Sequence, residues 1–158
     1  MQINFWSSND YINDLILEIF DSNPDEESFS KETETSLSDF NDKVQNGEIL
    51  DTEISSKIII LSILNLCLFE PLQIKLFDLG YIEFSIVEEY IKQYESNEDY
   101  MQKVQKTWMP NLIKALEEIL SNNKSELRLN WEHIQDKTQL ENWEESINYL
   151  IFSLKDFL

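Results

Sequence analysis

The sequence predicts a mainly α-helical fold, and three observations predict it. Glycine occurs only twice in 158 residues, at Gly47 and Gly80. Few positions can then take φ > 0, which disfavours tight hairpins and leaves no glycine-rich loop to cradle a phosphate. Apolar residues recur at helical spacing in most segments. An apolar content of 42%, with 12% aromatic residues, is enough for a buried core. The expectation is one globular domain over 1–158 with six or seven helices, and room for one short two-stranded β pair.

Taken in order, residues 2–6 ("QINFW") alternate polar and apolar and read as a short strand. Ser8 caps a helix running to about Phe20, with Tyr11, Leu15, Ile16 and Ile19 on one stripe. Residues 21–53 form an acidic segment with eleven carboxylates against Lys31 and Lys43, a net of −9. Within it Leu37, Phe40 and Val44 predict a helix near 37–46, stopped by Gly47. Asp51 or Thr52 caps the next helix, which runs to Phe69 and ends at Pro71. It is apolar on most sides, as a central core helix would be. Residues 71–79 read as a short helix or turn closed by Gly80, and Ser85 with Glu88 as a capping box for the helix that follows.

From Met101 the stripe Val104, Trp108, Leu112, Leu116, Ile119 and Leu120 keeps its phase across Pro110, which predicts one kinked helix or two nearly coaxial ones. "ELRLNW" at 126–131 alternates and reads as a second strand, pairing with 2–6. Thr138 and Glu141 read as a capping box for a last helix carrying Leu140, Trp143, Ile147, Leu150, Ile151 and Leu154.

Charge bounds the function. Thirty-one acids against twelve bases give a net charge of −19. Such a domain repels nucleic-acid phosphates and anionic lipid, and its natural partner is a basic protein. The longest apolar run, "IIILSILNLCLF" at 58–69, is short of the roughly 20 residues a membrane span needs. No nucleic-acid and no membrane partner is therefore expected. Cys67 is the only cysteine and cannot form an internal disulfide, which fits a reducing compartment. "MQINFWSSND" has neither the basic region nor the apolar core of a signal peptide, so a cytoplasmic location is expected.

Candidate sites are few. Asp21, Asn23, Asp25 and Glu32 fall at positions one, three, five and twelve of a calcium loop. Position six, where the turn requires glycine, is Glu26, and Pro24 stiffens position four. No metal site and no cofactor are expected. His133 is the only histidine, and it lacks the second histidine or glycine-flanked nucleophile that catalysis would call for. The adjacent carboxylates Glu88–Glu89, Glu117–Glu118 and Glu144–Glu145 point about 100° apart on a helix and do not converge on one atom. No enzymatic activity is expected. Of the four tryptophans, Trp108 and Trp143 belong to apolar stripes, while Trp6 and Trp131 are open to an interface role. The residues expected to meet a basic partner are Asp25, Glu26, Glu27, Glu32, Glu34, Asp39 and Asp42, with Phe29, Leu37, Phe40 and Val44 tethering their segment to the core.

In length, acidity and lack of catalytic residues the chain resembles the small acidic immunity proteins of bacterial toxin systems, those paired with contact-dependent or secreted effectors. The resemblance is one of gross character over the whole chain and carries over no residue role. It implies an antitoxin that covers the active or substrate-binding groove of a basic toxin, such as a nuclease, through protein–protein interaction. Two alternatives stand beside it: an acidic DNA mimic that inhibits a DNA-binding protein, and a regulatory interaction domain whose charge serves solubility alone.

Overall fold

The computed structural model describes residues 5, 12–22, 25–77, 84–134 and 136–158. Among them the chain forms eight α-helices, one more than the upper expectation. These are α1 (Ile12–Ser22), α2 (Glu26–Gln45), α3 (Thr52–Phe69), α4 (Phe84–Tyr94), α5 (Glu98–Lys103), α6 (Met109–Ser121), α7 (Glu126–His133) and α8 (Lys137–Lys155). A 3₁₀ turn (Pro71–Leu76) follows α3, and a π-helical stretch (Val104–Trp108) joins α5 to α6.

Helix α3 is the centre, packed by α1, α2, α4, α6, α7 and α8. Every side chain from Ile58 to Leu68 is buried, so the helix shows almost no polar face. It is also the one described helix long and apolar enough to cross a membrane, but 72% of that window is buried inside the protein. The Ser62 hydroxyl donates to the Ile58 carbonyl at 2.7 Å, which satisfies it within the helix. Around α3 the buried residues form one contiguous cluster.

Several boundaries depart from expectation for identifiable reasons. Helix α2 begins eleven residues before position 37, because its buried stripe runs back through Ser36, Thr33 and Phe29. Two of these are polar by type, and periodicity passes over them. The Thr33 hydroxyl donates to the Phe29 carbonyl at 3.0 Å, so it costs little inside. Residues 126–131 are not a strand but most of α7. Ser125 caps it, accepting from the Arg128 amide, and Leu127 and Trp131, four apart, are the buried pair. The expected strand at 2–6 lies outside the described residues except for Phe5. Phe5 is buried and does meet α7 and α8, through side chains: the Trp131 and Trp143 indoles both donate to its carbonyl, at 3.2 and 3.0 Å.

Helix α4 starts at Phe84, so Ser85 lies inside it and not at its cap. For α8 the cap is Asp136, whose carboxylate accepts from the Thr138 and Gln139 amides; Thr138 is already helical. The stripe across Pro110 holds in one helical run. In the π stretch Met109 N–H reaches the Val104 carbonyl, and this wider turn falls where the Pro110 ring would crowd the preceding turn. Ser8, Tyr11, Trp6 and Gly80 lie outside the described residues.

Candidate functional site

From Asp25 onward the acidic segment is built as a capped helix and a folded return. The Asp25 carboxylate accepts from the Ser28 amide at 2.8 Å, and the Asp25 amide donates back to the Ser28 hydroxyl. These bonds, the backbone N–H foremost, hold the Asp25 carboxyl below its ordinary range. At the same end the Phe29 ring packs on Tyr90 at 4.9 Å and on Tyr94 at 6.0 Å, fastening α2 to α4. Leu37 and Phe40 are buried and Val44 is half-buried, so the four expected tethers are in place.

Gly47 ends the helix at φ +65°, a conformation that a β-carbon would strain. Its amide donates to the Val44 carbonyl and the Glu48 amide to the Lys43 carbonyl, the paired bonds of a Schellman stop. Two residues on, Leu50 bridges to the start of α7. Its amide donates to the Lys124 carbonyl at 2.9 Å, and its carbonyl accepts from the Glu126 amide at 3.0 Å. Asp51 then caps α3 through the Ile54 amide, and a single Glu126 oxygen accepts from both the amide and the hydroxyl of Thr52, at 3.1 and 2.7 Å.

This return leaves an open groove of about 350 Å³ between α2, the 46–51 connection and the start of α3. Five carboxylates line it, Asp39, Asp42, Glu48, Asp51 and Glu53, with Lys43, Lys57 and Ile54. Five acids less two lysines leave a net of −3 on the lining. Lys43 sits 3.5 Å from Asp51, and Lys57 3.9 Å from Glu32. Both pairs are partly solvated, and such pairs contribute at most about 1 kcal/mol each. Neither lysine neutralises the groove.

The seven residues expected to meet a partner do not form one patch. Asp39 and Asp42 line the groove, and Glu32 adjoins it through Lys57. Glu26 and Glu34 turn to the opposite edge of α2, where Asn97 donates to Glu26 at 2.8 Å and Lys103 pairs with Glu34 at 3.1 Å. Glu27 is exposed, and Asp25 is engaged in the cap. At about 100° per residue, the spacing alone separates them around the helix. The groove instead gains Glu48, Asp51 and Glu53. These belong to the same acidic stretch, and the signal that brings them back is Gly47 followed by the Asp51 cap.

The other candidate sites resolve as follows. Glu26 to Glu32 is helical, so positions six to twelve of the calcium-loop match run along a helix and do not wrap an ion. Among the described residues no three His, Cys, Asp or Glu side chains gather in a metal-holding group. His133 is exposed at the end of α7, while Cys67 is buried in α3, where desolvation pushes its thiol up to about 12. Trp131 is buried with its indole spent on Phe5, and Trp108 and Trp143 are core. Arg128, the sole arginine, is tied to Glu132, Glu144 and the Leu120 carbonyl at the end of α6. Of the paired carboxylates, Glu117 meets Lys155 and Glu144 meets Arg128.

Comparison of the chain with protein-family models, curated proteins and solved structures gives no match.

Proposed function

We propose that this chain binds a basic protein and neutralises it, as an immunity protein neutralises its toxin, by covering the groove in which that protein holds its substrate. The observation that carries the reading is the acidic groove between α2 and α3, presented by a stretch held by the Gly47 stop, the Leu50 bridge and the Asp51 cap. Carboxylates carried on an ordered backbone meet a cationic surface with only their side chains left to order. The field of a −19 molecule steers such a partner, raising its association rate by roughly 10–10³-fold at low salt. A nuclease is the favoured target class, since its phosphate-binding groove is basic. In this reading the chain works in the cytoplasm, has no catalytic role and takes no cofactor.

A second reading follows from the spread of Glu26, Glu27, Glu34 and Asp42 around α2. Carboxylates on several sides of one helix suit a DNA mimic that occupies a DNA-binding protein. The experiment is co-expression with each protein whose gene adjoins this one in the native genome, a basic, toxin-like product being the one the reading expects. If that protein arrests growth, and the arrest and its nuclease activity are both relieved by this chain, the immunity reading stands. Relief of DNA binding by a protein that is not toxic supports the mimic. No relief of either rejects both.

A further inference from the structure

Ile49 is an exposed apolar residue that the fold cannot turn inward. It is 58% exposed and sits between Glu48 and Asp51, two of the groove carboxylates. The Glu48 amide is bound to Lys43, and Leu50 is bound on both its amide and its carbonyl to the start of α7. In this extended bridge Leu50 takes the inward position and is fully buried. Its neighbour is therefore held outward. Leu17, Leu72, Leu129, Ile134, Phe152 and Leu158 are also exposed, but they belong to other parts of the chain. Among the described exposed apolar residues, Ile49 alone lies between groove acids on a stretch whose backbone is hydrogen-bonded on either side of it. The backbone that carries this side chain needs no ordering on binding, which lowers the cost of using it as an interface anchor.

We infer that Ile49 is the apolar anchor of the acidic face, seated in an apolar strip of a basic partner whose lysines or arginines meet Glu48, Asp51 and the other groove carboxylates. The inference rests on the basic-partner reading and deepens it. Charge supplies encounter rate and orientation, and Ile49 supplies residence time. A partner with basic residues alone satisfies the first requirement and not the second.

Two synthetic probes of equal charge separate these contributions: an amphipathic helix of leucine and lysine, and an oligolysine. Each is titrated against the full chain, its Ile49→Ala and Ile49→Leu variants, and an Asp39→Lys/Glu53→Lys variant. Ile49→Ala is expected to weaken the amphipathic probe about tenfold, through its off-rate, and to leave oligolysine unchanged. Ile49→Leu should keep binding near wild type, and the charge variant should weaken both probes. Equal binding of both probes by wild type and Ile49→Ala, with both weakened by charge reversal, overturns the anchor and leaves the acidic face standing. If charge reversal changes neither probe, or neither binds saturably at physiological salt, the acidic-face reading fails with it.

Discussion

Glu126 stitches the return of the acidic segment to the start of α7, and its removal should be costly for a half-exposed surface residue. One of its carboxylate oxygens accepts from the Thr52 amide at 3.1 Å and the Thr52 hydroxyl at 2.7 Å, across 74 positions of sequence. The amide is one of the orphan donors at the start of α3, and the negative charge sits favourably against that helix end. A charge-assisted hydrogen bond contributes about 1.5–3 kcal/mol when buried. Here two bonds share one oxygen in a partly solvated place, so about 2 kcal/mol for the pair is the working figure. Against it stands the relief of removing one charge from a −19 chain, a few tenths of a kcal/mol for a single exposed group. The bonds win. Glu126→Ala should lose about 2 kcal/mol, a fall of roughly 4–8 °C in Tm for a chain of this size. Glu126→Gln keeps an acceptor and should lose about half as much. Urea denaturation of the three proteins decides it. A loss below about 0.5 kcal/mol for Glu126→Ala would refute the assignment of this clamp, because that is the scale of an ordinary surface substitution.

Raising salt should stabilise the protein, since screening relieves self-repulsion by more than it weakens the six exposed or half-exposed ion pairs among the described residues; a urea midpoint that falls with added salt would reverse that ordering. Stability should fall as pH rises above about 9. Burial raises Cys67 from 9.0 and Tyr100 from 10.0, both to about 12, and pushes Tyr90 and Tyr94 upward from 10.0, so the unfolded chain gives up its protons first. Tyrosinate absorbance should accordingly show Tyr90, Tyr94 and Tyr100 ionising together with unfolding, and independent titration near pH 10 would contradict their burial. Phe5→Ala should cost about 3–5 kcal/mol and shift tryptophan emission to the red: it keeps the carbonyl to which Trp131 and Trp143 donate, but removes the fully buried ring, stacked on Phe77, that seats that carbonyl; an unchanged spectrum would mean that the ring does not hold the seat in solution.

Sequence periodicity read the helical class well because α3, α6 and α8 carry their buried stripes in unambiguous apolar residues. It failed where short polar side chains took core positions. Thr33 and Ser36 hid the first half of α2. In "ELRLNW" an alternating pattern masked the helical pair Leu127 and Trp131, and the Ser125 cap was the better signal. Asp136 outcompeted Thr138 as a cap because its carboxylate reaches two amides at once. The site was legible as a charge excess between residues 21 and 53 but not as a shape. Its shape depends on the stop at Gly47 and on the bridge from Leu50 to Ser125, a tertiary contact between residues far apart in the chain. The spread of the seven expected carboxylates around α2 was already implied by their spacing.

The association rate of a basic protein captured by this chain from its native host tests the central claim most directly. It is measured at low and high salt for wild type and two triple reversals. One carries Asp39, Asp42 and Glu53 to Lys in the groove, and the other Glu117, Glu141 and Glu145 to Lys on α6 and α8. Each reversal adds two units, so both variants move from −19 to −13 and match in net charge. If the α2–α3 groove is the binding face, the groove variant associates at least about tenfold more slowly at low salt and loses most of its salt dependence, while the other stays near wild type. The opposite ranking would place the partner on the C-terminal helices, and equal slowing of both would reduce the acidic groove to one part of an undirected field.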